Sequence, residues 1–179
     1  ADLVEAGHIR SVGISNFNAN QMRRAYAALQ KRGVPLAVNQ MEYSLLNRKI
    51  ESNNVIATAK ELGVTITAYT PLGYGLLAGK YHKKPDLLEQ ASPIRRRMLK
   101  RDLEKTRPIV EVLEEIAKNY DATPAQVALS WVIHFQGETV VTIPGATKVH
   151  QVEQSAGAMK FKLSQSELNR LGELSAQFL

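Results

Sequence analysis

A chain of 179 residues with 44% hydrophobic and 22% charged residues has the length and composition of one folded globular domain, which excludes a disordered chain. It holds no cysteine, so disulfide scaffolds, thiolate metal sites and cysteine nucleophiles are excluded; no apolar run approaches the roughly 18 to 20 residues of a membrane span, and the first residues lack a signal-peptide pattern. The formal charge of +6 is concentrated, because residues 80–107 carry ten Lys/Arg against four Asp/Glu and the remainder balances.

In chain order, residues 11–15 read as a short strand, and the amides of Asn16, Asn18 and Asn20 suit the N-cap of a following helix. Met22, Ala25, Tyr26 and Leu29 recur at helical spacing, predicting an amphipathic helix over 21–31 that Gly33 and Pro35 end. Residues 37–41 form the second strand. Val55, Ile56, Ala59 and Leu62 give the next helical stripe, Gly63 stops it, and the β-branched run 64–69 is the third strand. Three glycines and a proline within 70–79 exclude a regular element, so a long loop running into the basic segment is expected. Ile109, Leu113, Ile116, Ala117 and Tyr120 then mark a helix, and Thr123-Pro124-Ala125-Gln126 has the form of a capping box opening another. Residues 139–143 are the fourth strand, Pro144 and Gly145 its turn. A helix to about residue 158 follows, and Ser164 with Glu167 caps a last one.

Strands joined only through helices run parallel, which leaves a doubly wound sheet or part of a (β/α)8 barrel. Hydrogen-bonding or small residues stand at the carboxyl ends of all four strands, at Ser15-Asn16, Asn39-Gln40, Tyr69-Thr70 and Gly145-Ala146-Thr147, as a barrel's active face requires. No early strand is followed by the glycine turn of a dinucleotide fold. The expected class is therefore α/β, with four βα units of a TIM barrel plus a C-terminal helix. A whole barrel takes about 250 residues and eight strands. Residues 1–179 are accordingly read as about half of one domain, with Val12, Ile14, Val140, Val141 and Ile143 partly uncovered until the missing half or a second copy closes the sheet.

Four segments in this order resemble the C-terminal half of the aldo-keto reductases. Residues 7–17 (Gly-His-Ile-Arg-Ser-Val-Gly-Ile-Ser-Asn-Phe) resemble the fifth barrel strand and 38–44 (Val-Asn-Gln-Met-Glu-Tyr-Ser) the sixth. Residues 68–81 (Ala-Tyr-Thr-Pro-Leu-Gly-Tyr-Gly-Leu-Leu-Ala-Gly-Lys-Tyr) resemble the seventh with its loop, and 143–147 (Ile-Pro-Gly-Ala-Thr) the eighth. Gly145 and the loop point to the branch containing bacterial stress-type reductases and potassium-channel β subunits.

The resemblance implies a cytoplasmic enzyme that reduces aldehydes or ketones with NADP(H), bound extended across the strand ends. It assigns Ser15, Asn16 and Gln40 to the nicotinamide carboxamide, which needs both donors and acceptors, and Tyr69 to stacking on the nicotinamide ring. Thr70, Pro71, Leu72, Gly73 and Gly75 match the loop along the pyrophosphate, with Lys80 facing the phosphates and one of Arg95, Arg96 and Arg97 against the cofactor. Gly145, Thr147 and Gln151 match the surroundings of the adenosine 2′-phosphate, with Lys148 nearby. Gln154 and Ser155 stand where the family usually has Glu and Asn at adenine.

The family's catalytic Asp, Tyr, Lys and His lie before the first matched strand, and no residue here is assigned to catalysis. His8, His82, His134 and His150 lack paired acids, and no cluster has metal-ligand spacing. The expected partners are a small carbonyl substrate and a complementary half-barrel, not a membrane or nucleic acid, since the basic segment lacks interleaved aromatics beyond Tyr81. The alternative function is a nucleotide-binding regulatory subunit resembling the channel β subunits.

Overall fold

The computed structural model describes residues 1–179 apart from the side chain of Arg95. A short α1 (Asp2–Glu5) precedes β1 (Val12–Ser15), which turns into α2 (Ala19–Gln30). Asn18 caps that helix reciprocally: its Oδ1 accepts from the Gln21 amide at 2.9 Å, and Gln21 Oε1 accepts from the Asn18 amide at 3.0 Å. β2 (Leu36–Glu42) leads through α3 (Lys49–Ser52) to α4 (Val55–Leu62), which ends at left-handed Gly63 before β3 (Thr65–Tyr69). A 3-10 segment (Gly73–Ala78), α5 (Lys80–Lys83), a second 3-10 segment (Pro85–Gln90), α6 (Pro93–Asn119) and α7 (Pro124–His134) separate β3 from β4 (Val140–Thr142). α8 (Val149–Gly157) and α9 (Gln165–Leu174) follow.

The predicted strands and caps are present, with ends displaced by a residue or two. The long loop is not. Residues 80–107, read as a basic loop, are mostly helical, and α6 alone spans 27 residues. Buried Leu99, Leu103, Thr106 and Val110 carry its apolar stripe back from Leu113 at alternating spacings of four and three. Among the described residues, five basic side chains of this segment are ion-paired, Arg96 and Lys100 with Glu89, Arg107 with Glu104, Arg101 with Asp102 and Lys83 with Glu114, but only Glu114 lies outside the segment, so most of the basic excess remains.

All strand pairings are parallel, in the order β1-β2-β3-β4. Register places Ile14, Asn39, Ile66 and Val140 side by side on the face covered by helices, and Ser15, Gln40, Thr67 and Val141 on the other. The covered face is filled by one core that includes Met22, Ile66, Ile109, Leu113, Ile116 and Trp131. The opposite face, a barrel's interior side, is open: Val141 and Ile143 are 48% and 44% exposed. Val140, expected to be partly uncovered, is instead buried, because its side chain points to the helices.

A buried ionic strut ties the β2–α3 loop to the end of α9. Arg48 Nε and Nη2 donate to the two Glu51 carboxylate oxygens at 2.7 Å each, and its Nη1 donates to the Gly172 carbonyl and to Ser175 Oγ. The guanidinium also stands 5.2 and 5.0 Å from the ring centroids of Trp131 and Phe135. Tyr43 donates its phenolic hydrogen to Glu51 at 2.8 Å, and burial together with that carboxylate pushes the phenol far above its ordinary range. Among the described residues no helix is long and apolar enough to cross a membrane.

Candidate active site

The carboxyl ends of β1, β2 and β3 bring four of the predicted residues together. Ser15 and Gln40 are register partners, and the Ser15 hydroxyl donates to the Gln40 carbonyl oxygen at 3.2 Å. Asn16 follows in the left-handed conformation at φ 59°, with its amide bonded to the Gln40 carbonyl at 2.9 Å. That turn swings its side chain across the strand ends, where Nδ2 donates to Ser15 Oγ at 3.3 Å and Oδ1 accepts from the Tyr69 hydroxyl at 3.1 Å. Partial burial, with Glu42 and Tyr74 adding, pushes the Tyr69 phenol above its usual range, so it stays protonated at neutral pH.

A cleft of about 680 Å³ opens beside this cluster, within the usual size of a small-molecule site. Of the predicted residues, Thr70, Pro71, Leu72, Gly75, Lys80, Gly145, Gln151, Gln154 and Ser155 line it. The loop wall is shaped by positive φ at Thr70, Tyr74 and Gly75. Gly73 does not line the cleft: it is buried with φ 53°, a conformation that favours glycine, and a Cβ there would come within 2.6 Å of Leu46 Cδ1, so the end of that side chain would have to shift. Gly145 is the contrary case, since a Cβ would meet nothing within 4 Å and its φ is not positive. Its open space belongs to the cleft.

At the far end Gln151 caps α8, its Oε1 accepting from the Thr147 amide at 2.8 Å and the Lys148 amide at 3.2 Å. Thr147 and Lys148 are exposed at this helix N-terminus, where the helix dipole favours negative charge. Lys80 is exposed, with Nζ 4.8 Å from the centroid of the Tyr81 ring. Within the arginine run, Arg96 is engaged with Glu89 and the Ala91 carbonyl, Arg97 is exposed, and the Arg95 side chain lies outside the described residues.

The remaining lining residues, Tyr74, Ala78, Ala125, Leu129, Ile143, Pro144 and His150, were not singled out from sequence as cofactor contacts. Ala125 and Leu129 carry the one available signal, an i, i+4 pair off the main apolar stripe of α7. No acid sits beside His150 in the cleft lining, and among the described residues no group of three or more His, Asp or Glu could hold a metal ion. The arrangement can bind an extended, anionic ligand with an amide at one end. It displays no paired acid and base of its own.

Four parallel βα units with a cleft along their strand ends have the architecture of half a TIM barrel. The Aldo/keto reductase family profile matches residues 1–176, and the chain belongs to that family. It is 37% identical over 182 residues to aldo-keto reductase str7 of Strobilurus tenacellus, covering 99% of this chain and 52% of that one. It is 36% identical over 174 residues to aldo-keto reductase yakc of Schizosaccharomyces pombe, whose name specifies NADP(+), covering 95% and 49%. The crystal structure of Tm1743, a thermostable aldo-keto reductase bound to the inhibitor epalrestat, superimposes with a TM-score of 0.71 at 29% identity over 97% of this chain and 51% of that one. The chain thus spans about half the length of the relatives it matches.

Proposed function

We propose that this chain is the cofactor-binding half of a cytoplasmic, NADPH-dependent reductase of aldehydes or ketones. The observation that carries the reading is the continuity of the polar cluster at Ser15, Asn16, Gln40 and Tyr69 with the cleft, joined at the Tyr69–Thr70 peptide. The residues fit the cofactor: an amide-recognising end, a loop whose backbone turns leave a wall free of large side chains at Gly75, the open space at Gly145, and the exposed Thr147 and Lys148 at a helix N-terminus. NADPH, when bound, supplies the hydride.

Ser15, Asn16 and Gln40 orient the carboxamide, which fixes the face of the ring presented to the carbonyl, and Tyr69 covers the other face and excludes water. Lys80, Thr147 and Lys148 supply positive potential and donors for phosphates, and the α8 N-terminus with Lys148 favours the 2′-phosphate form. Gln154 and Ser155 face the nucleobase end. The proton for the product alcohol comes from the family's catalytic group, outside this chain, in a complementary half-barrel that closes the open sheet face. NADPH titration and single-turnover aldehyde reduction on the full-length protein test the reading with Tyr69→Ala. Losing a stacking face worth about 0.5–1.5 kcal/mol weakens binding roughly two- to tenfold and slows hydride transfer with it. Unchanged affinity and rate would leave Tyr69 a packing residue, and a full-length protein that does not bind NADPH would remove the proposal.

A further inference from the structure

Asn39 stands in β2 on the helix-covered face, fully buried, between the register partners Ile14 and Ile66 and against Met22. Its Nδ2 donates to the Phe17 carbonyl oxygen at 3.0 Å, while its Oδ1 has no partner among the described residues. A buried amide oxygen without a donor is costly, and an aliphatic side chain of the same size would avoid that cost in this apolar layer. The amide gains a bond to the carbonyl of the residue immediately after Asn16.

That carbonyl matters because the 15–18 turn is held at few points. Asn16 sits in the left-handed region, which a non-glycine residue occupies only when its surroundings hold it there. Its amide is fixed by the Gln40 carbonyl, and two residues later Asn18 is fixed as the α2 cap. Phe17 bridges these anchors, and Asn39 pins its carbonyl from behind the sheet.

We infer that Asn39 is a positioning residue for the nicotinamide end of the site, holding Asn16 where its side chain meets Ser15 and Tyr69. The inference rests on the proposed cofactor site. Its consequence is selective: loss of the Asn39 bond loosens the carboxamide end and leaves the α8 end as it was, because Thr147, Lys148 and Gln151 hold each other independently of β2.

The test compares NADPH with 2′,5′-ADP, which keeps the phosphorylated adenosine and lacks the nicotinamide, on folded full-length protein. Asn39→Leu should weaken NADPH three- to tenfold, the scale of one neutral hydrogen bond, and change 2′,5′-ADP less than twofold. Asn39→Ser, too short to reach Phe17, gives the same pattern and serves if the leucine variant does not fold. Equal weakening of both ligands, or of neither, overturns the inference. Asn16→Ala separates the two levels: if it weakens NADPH while Asn39→Leu and Asn39→Ser do not, the positioning role alone fails. If Asn16→Ala also leaves NADPH unchanged, the carboxamide reading falls and takes this inference with it.

Discussion

Replacing Arg48 with methionine removes the guanidinium and keeps most of the stem's apolar volume. Arg48 is 5% exposed and the Glu51 side chain 13%, so the carboxylate left behind is shielded from water on nearly every side. The variant loses both 2.7 Å bonds to Glu51, the bonds to the Gly172 carbonyl and Ser175 Oγ, and a cation held at the end of α9, where the helix dipole favours positive charge. Breaking a buried pair from one side costs about 3–5 kcal/mol, a large share of the roughly 5–15 kcal/mol that holds a typical domain folded. Urea denaturation of the full-length protein followed by circular dichroism measures it. The double variant Arg48→Met with Glu51→Leu should recover much of the loss, since it no longer strands a charge. A single variant within about 1 kcal/mol of the parent would refute the argument, because the strut would then be no more than a screened surface pair.

Lys148→Glu in the full-length protein replaces attraction by repulsion at the α8 N-terminus, so affinity for NADPH should fall by on the order of 1 kcal/mol or more relative to NADH. Equal weakening of both would count against placing the 2′-phosphate there. His82 places Nε2 3.0 Å from Thr106 Oγ1 and 3.1 Å from the Leu103 carbonyl, and its buried Nδ1 has no partner among the described residues. Burial holds its pKa below the ordinary 6.5, with Arg107 acting the same way and the Leu103 bond, Glu104 and Glu114 opposing. The unfolded chain therefore takes up this proton first, and stability present above pH 6.5 is lost as pH falls below it. Melting temperatures across that range should decline less in His82→Gln, and parallel curves would dismiss His82 as a source. The 179-residue chain alone should associate or aggregate through its open face and show no carbonyl reduction; a monodisperse monomer on sedimentation, or measurable turnover, contradicts this.

Local chemistry was readable wherever it is self-contained. Thr123 with Gln126 and Ser164 with Glu167 form capping boxes within four residues, and both are present as expected. The rim positions Ser15, Asn16, Gln40 and Tyr69 were legible too, whereas Asn39, read with them, turns to the helical face because successive strand residues alternate sides. The second half of α6 was legible from Ile109, Leu113 and Ile116, but its first half was not, because Leu99 and Leu103 are diluted by charged neighbours, and the stripe shows only against the element it packs on. The role of Gly73 depends on Leu46, far back in sequence, and the cleft walls at Leu129 and His150 come from helices on either side of β4. Such relations arise from the packing of distant elements.

The two faces of the sheet differ in what completes them. Trp131, Ile66, Met22 and their neighbours finish the helical face from this chain's own residues, while the interior face leaves Val141 and Ile143 exposed. If a complementary half-barrel closes that face as proposed, it meets this chain along a narrow seam, chiefly Ser15, Gln40, Thr67, Val141 and Ile143, of which Ile143 also lines the cleft. In engineering terms that proposal makes the chain an exchangeable cassette. A chimera that keeps those five side chains and grafts a different catalytic half onto them should inherit cofactor preference from this chain and substrate range from its new neighbour.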